Sequence, residues 1–233
     1  MKTRRTNFLS SLMIMGMLFF LLTSCSKKDT TPTPLTVTDM DGNIYQTVTI
    51  GSQIWMAENL KTTKFNDGSP IPFVPDSSLW GSLTSPGFCY YYNNPGVYKA
   101  AYGAMYNWYA VNSGKLAPTG WHVPTKDEWT LLTNYLGGDS LAGGKMKLNS
   151  PYYWYYSNKG ATNSSGFTAL PGGYRYYMDN SAFFLLGAVG NWWSATQNDN
   201  ANAFYLSIGT ESASSSQGSD NKANGFRIRC IKD

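Results

Sequence analysis

The chain carries one histidine, His122, and three cysteines, Cys25, Cys89 and Cys230, so the side-chain chemistry open to it is narrow. A three-histidine metal site is ruled out by count. A Ser-His-Asp set built on His122 lacks the Gly-x-Ser-x-Gly turn that would present its serine. His122 lies between Trp121 and Val123 just ahead of a helical pattern, which reads as a buried or capping position. Glycoside hydrolysis needs two carboxylates across a cleft with different proton affinities. Glu58, Asp67, Asp127, Glu128 and Glu211 are available, but no pairing is visible. Asp39, Asp41 and Asn43 are spaced like the opening of a calcium loop, yet Ile50 stands where the closing Glu belongs, so turn chemistry accounts for them. P-loop and dinucleotide fingerprints are absent. We assign no catalytic residue, no metal site and no cofactor.

Recognition chemistry is better supplied. Rings cluster at Tyr90 to Tyr92, at Tyr152 to Tyr156 around Trp154, at Tyr174 to Tyr177 and at Trp192-Trp193. An exposed ring offers a flat apolar face to the C–H face of a sugar and a polar tip to its hydroxyls. Consecutive rings in a strand point to opposite faces, so each run is expected to expose some of them. The candidate ligand-binding residues are Tyr153, Trp154, Tyr155, Trp192 and Trp193, with a polysaccharide as the partner. Pro151 ahead of the Tyr152 to Tyr156 run, and Ser157, Asn158 and Gly160 after it, suit a loop platform.

Lys2, Arg4 and Arg5 precede an apolar run from Phe8 to Leu22, followed by Thr23, Ser24 and Cys25. This is the pattern of a secretory signal, short for a bilayer span. With cysteine at the cleavage point it resembles a bacterial lipobox, which implies a signal peptide over 1–24 and a diacylglycerol on Cys25. The expected location is the outer membrane, lipid-anchored. Cleavage leaves 15 Lys and Arg against 14 Asp and Glu, a near-neutral balance that argues against a nucleic-acid-binding surface. Residues 25–35, rich in Thr and Pro, read as a flexible tether. Lys27, Lys28 and Asp29 within it resemble the charged tags that send Bacteroidota-type lipoproteins to the cell surface, or are an ordinary solvated linker. Cys89 and Cys230 are left either as a disulfide, which would stabilise by roughly 4 to 5 kcal/mol, or as two buried free thiols.

The elements that must position these groups fall in one domain over 36–233. Val37 and Thr38, the Asp41-Gly42 turn, the alternation from Ile44 to Ile50, and Gln53 to Met56 after Gly51-Ser52 predict a three-stranded meander. The spacing of Ala101, Ala104, Met105, Trp108 and Val111 predicts a helix over 100–111. Thr125 with Glu128 three residues on forms a capping box for a second helix, stopped by Gly137-Gly138, with Trp129, Leu132 and Leu136 on one side. Short strands are expected at 167–170, 191–195, 203–208 and 225–231.

Asp41-Gly42-Asn43, Ile54-Trp55-Met56-Ala57-Glu58-Asn59-Leu60, Tyr106-Asn107-Trp108-Tyr109-Ala110, Gly120-Trp121-His122-Val123-Pro124 with Glu128-Trp129, Ala169-Leu170-Pro171-Gly172-Gly173, Trp192-Trp193-Ser194-Ala195 and the Arg229 to Asp233 close occur in an order that resembles the Fibrobacter succinogenes major paralogous domain. Leu116 to Thr119 stand where many members carry a cysteine, so no disulfide pairing carries over. The family brings no established activity. Its Pro-Thr-x-x-Glu-Trp helix and Gly-Phe-Arg-x-Arg-Cys close are similar to the formylglycine-generating enzyme superfamily, a relative of C-type lectin-like folds. The resemblance implies an α+β domain with an irregular mixed sheet, two helices and long loops. Catalytic members of that wider group use paired cysteines or a histidine cluster, which this chain lacks. The expectation is a non-catalytic binding or structural module; a carbohydrate-active or protein-modifying enzyme is the alternative.

Overall fold

The computed structural model describes residues 35–155 and 157–233. The signal segment, Cys25 and nearly all of the tether lie outside the described residues.

The chain opens with the expected meander, β1 (Thr36–Thr38), β2 (Ile44–Ile50) and β3 (Gln53–Met56), all antiparallel. Its first turn is held by Asp39, whose Oδ1 accepts from the Asp41 and Asn43 amides and whose Oδ2 accepts from Asn43 Nδ2 and the Tyr45 hydroxyl. Turn chemistry thus occupies the calcium-like spacing. There follow α1 (Ser77–Gly81), β4 (Phe88–Cys89), α2 (Pro95–Tyr102), β5 (Met105–Tyr106), α3 (Trp108–Asn112) and β6 (Trp121–His122).

The helix predicted over 100–111 is therefore two helices with a strand between them. Gly103 adopts φ 72°, ψ −168°, and a Cβ there would lie 2.6 Å from the Leu60 carbonyl oxygen. The chain must leave the helix at that residue. Asn107 then starts α3, its Oδ1 accepting from the amides of Gly87 and Ala110.

α4 (Lys126–Tyr135) forms as predicted, with both halves of its capping box in place and Trp129, Leu132 and Leu136 buried. It is followed by an unforeseen helix, α5 (Asp139–Met146). Gly143 and Gly144 sit inside α5 because other backbone presses on them: a Cβ would lie 2.2 Å from Ser214 O at the first and 2.4 Å from Gly160 O at the second. The rest is β7 (Gly172–Arg175), β8 (Phe183–Leu186), β9 (Val189–Gln197), β10 (Asn202–Gly209), β11 (Ser215–Asn221) and β12 (Ile231–Lys232). Residues 167–170 contribute only a bridge from Ala169 to Lys147.

Two five-stranded sheets result, ordered β1-β2-β3-β12-β6 and β11-β10-β9-β7-β8, with β7 parallel to β9 and the other pairs antiparallel. The domain mixes helices with irregular sheets, and among the described residues its α-helices are five rather than two. The stretch 222–231 joins the sheets. Phe226 bridges to Tyr106, Gly225 to Arg175 and Arg227 to Trp192 before β12 inserts between β3 and β6. Arg227 and Arg229 are buried along it and make no ion pair among the described residues, their donors received by the backbone carbonyls of Gly103 and Gly172 for the first and by those of Met56 and Phe167 with Asn59 Oδ1 for the second.

β9 has both faces covered. Trp193 enters one apolar cluster with Phe226, ring centroids 4.3 Å apart, while Trp192 enters another with Phe167. The expectation that each aromatic run exposes rings fails here because this strand is interior. Cys89 and Cys230 are free thiols, both buried, Cys89 beside Trp80 and Met105 and Cys230 in the cluster of Tyr106 and Ile228. The disulfide is not formed. Packing in separate clusters accounts for both thiols, and burial raises Cys89 to about 11 and Cys230 further, so neither is a nucleophile at neutral pH.

Candidate functional site

A strip of partly exposed tyrosines is built around α2. Asn94 caps this helix through Oδ1 and Pro95 fills its first turn, yet no α2 residue is buried. Tyr98 and Tyr102, four apart, share a face; Tyr98 packs in part on the cluster of Val74, Trp80 and Tyr91, and both side chains stay partly exposed. Just ahead, Tyr92 adopts φ 48°, ψ 23°, and the residue is 63% exposed. Tyr91, buried beneath, lies 5.3 Å from both Tyr98 and Phe183 and supports the rings above it. The surface rings run from Phe183 to Tyr92 (5.5 Å), Tyr98 (6.4 Å), Tyr102 (6.3 Å) and Tyr153 (6.0 Å). Tyr155 adjoins the same end and is 53% exposed, with its ring over Gly187 and its amide donating to Gly187 O.

Burial raises the Tyr102 hydroxyl, and the neighbouring Tyr153 and Tyr155 raise it further while Arg227 opposes them. It is a neutral donor and acceptor at physiological pH. The strip thus offers apolar faces with polar tips, which suits a sugar chain.

Of the five predicted ligand-binding residues, Tyr153 and Tyr155 join this strip and three do not. Trp154 is 2% exposed, its Nε1 donates to Ala169 O at 3.2 Å and the Lys147 ammonium lies over its ring. Trp192 Nε1 donates to Asn59 Oδ1 (2.8 Å) and Trp193 Nε1 to Tyr106 O (2.9 Å). Each indole has a core partner for its one donor, and none reaches solvent. Tyr98 and Tyr102 were missed by sequence reasoning, although their i, i+4 spacing beside a proline-started helix was there to be read.

His122 is neither buried nor a cap itself. It is 38% exposed and lies between two carboxylates, Nδ1 2.6 Å from Asp233 Oδ1 and Nε2 2.8 Å from Glu128 Oε1. Burial opposes its charge, but the hydrogen bonds to Asp233 and Glu128 outweigh this and hold the imidazole above its ordinary value. Glu128 is held below its ordinary value: burial works to raise it, but the Thr125 amide and hydroxyl and His122 together prevail. Both carboxylates border a shallow cleft of about 280 Å³ with Gln53 and Leu131. A glycosidase acid must hold its proton at working pH. Glu128 is poised the other way, and both imidazole nitrogens are engaged, so the trio works as a clamp between β6, α4 and the Lys232-Asp233 end.

Among the described residues, no group of three or more His, Cys, Asp or Glu is arranged to hold a metal ion, and no helix is long and apolar enough to cross a membrane. No curated protein and no solved structure matches the chain. The sequence profile of the Fibrobacter succinogenes major domain matches residues 48–232, from the middle of β2 to the end of β12. That span takes in the second sheet, the first from the middle of β2 onward, the tyrosine strip and His122 with Glu128, and the chain belongs to the Fibrobacter succinogenes major domain family.

Proposed function

We propose that this chain is a lipid-anchored outer-membrane lipoprotein, held by a diacylglycerol on Cys25, whose domain is a non-catalytic C-type lectin-like module that binds polysaccharide along the tyrosine strip. The observation that carries the reading is the unbroken series of partly exposed rings from Phe183 through Tyr92, then Tyr98 and Tyr102 on α2, a helix with no fully buried residue, to Tyr153. The formylglycine-generating-enzyme-like variant of the same fold is consistent with the mixed second sheet, but the paired cysteines that such chemistry needs are absent: Cys89 and Cys230 are inert and apart.

The test is retardation of the full chain, in mild detergent, on native gels containing single polysaccharides. The parent is expected to be retarded on at least one. Changing Tyr98→Ala and Tyr102→Ala together should weaken retention roughly tenfold or more, since each stacked ring contributes about 0.5–1.5 kcal/mol. Both side chains are partly exposed, so the fold should persist. A parent that runs unretarded on every glycan, or a double variant held as firmly as the parent, rules the reading out.

A further inference from the structure

Beside the tyrosine strip, Pro95 and Lys99, one turn apart on α2, border a separate open groove of about 510 Å³. Its bed is aromatic: Phe73 lies 5.4 Å from Phe88 and 6.1 Å from Tyr90, and Phe88 meets Tyr90 edge-on at 5.7 Å. Ile71 and two prolines complete a wall that is mostly hydrocarbon. Phe73 is 45% exposed, large for a phenylalanine with buried neighbours within reach.

The polar groups at this groove are few. Lys99 is its only charged lining residue, and among the described residues no carboxylate pairs with it. The carboxylate of Asp41, which the groove residue Thr63 holds through its amide and hydroxyl, is answered by Lys64 at 3.4 Å. Asn93 donates through Nδ2 to Pro75 O at 2.9 Å, and this leaves its Oδ1 buried without a partner. An orphaned buried acceptor is unfavourable unless a ligand donor meets it. The Tyr90 hydroxyl, raised by burial and so neutral, supplies a further donor.

An apolar bed with one unpaired cation, one orphaned acceptor and one hydroxyl defines the ligand's chemistry. A sugar carries a hydroxyl on nearly every ring carbon and would leave most of them against hydrocarbon. A flat ring with a carboxylate at one end and a hydroxyl elsewhere leaves none. We propose that this groove is a second binding site, independent of the polysaccharide reading, for small hydroxyaryl carboxylates: Lys99 takes the carboxylate, Asn93 Oδ1 accepts from the hydroxyl, and Phe73, Phe88 and Tyr90 hold the ring.

The test is calorimetric titration of the full chain in detergent micelles with 4-hydroxycinnamate at pH 7, with its neutral amide as the paired probe and heats into empty micelles subtracted. Saturable binding of the acid is expected, with the amide at least tenfold weaker. Lys99→Met should weaken the acid about as much while leaving the amide unchanged. Phe73→Ala, a change at an exposed ring, should weaken both probes. The Tyr98→Ala, Tyr102→Ala variant should bind the acid as the parent does. Absence of saturable binding by the acid, equal binding of acid and amide, or an unaffected Lys99→Met variant would overturn the assignment.

Discussion

Lys147 makes no ion pair among the described residues, Glu211 acting on it only at longer range; it is fully buried and points its ammonium at four backbone carbonyls, those of Lys159 (2.8 Å), Gly209 (3.1 Å), Thr210 (3.4 Å) and Ser212 (2.8 Å). One cation thus ties the loop after α5 to the β10–β11 connection. Lys147→Met keeps the length of the side chain but strands those oxygens. The expected loss is at least about 3 kcal/mol, read as a lower urea midpoint at unchanged slope; a shift below about 1 kcal/mol would show that the carbonyls find other partners. Sequence gives no hint of this role, because a lysine between Met146 and Leu148 looks like any surface lysine until distant carbonyls converge on it. The Thr125 and Glu128 cap was legible for the opposite reason: its partners lie three residues apart. Trp154, Trp192 and Trp193 fall between these cases, their type correctly suggesting packing or recognition while only the fold decides which.

Among elements, the legible ones are those whose signals are local. The β1–β3 meander follows from alternation and turn residues, and α4 from its cap and stop. α2, β5 and α3 were merged into one helix because apolar spacing ran across Gly103, whose conformation answers to the Leu60 backbone rather than to its neighbours in sequence. β11, Ser-Ser-Gln-Gly-Ser-Asp-Asn, carries no apolar alternation at all and is a strand because β10 pairs with it along seven positions. The His122 clamp between β6 and α4 is likewise invisible in the sequence as an interaction with Asp233. It has a pH signature. His122 is raised above its ordinary 6.5, so its contribution is complete below that pH and is lost as pH rises through the folded value. Glu128 is lowered from 4.5, so its contribution is present above that pH and is lost as pH falls through the folded value. The stability difference between the parent and a His122→Gln variant should therefore be greatest between pH 4.5 and 6.5 and shrink on either side. Its size should be about 1 kcal/mol or less, because water screens a residue that is more than a third exposed. A difference that stays flat from pH 4 to 9 in urea midpoints would dismiss the clamp.

For the molecule as a whole, the proposed anchor and the folded domain are separable claims. A Cys25→Ser chain should move from the detergent phase to the aqueous phase on phase separation while its domain keeps the parent's melting temperature. Continued partition into detergent would remove the anchor and leave the binding sites untouched. The domain itself is closed by residues 222–232, which supply the strand between β3 and β6 and the two arginines that collect carbonyls from both sheets. That strip is the last of the fold to be synthesised. Every sheet partner it needs is made earlier and must wait, so β3 and β6 are joined only when β12 arrives between them. The order of assembly is written into the topology: the strands and carbonyls that receive this strip are made first, and closure comes second.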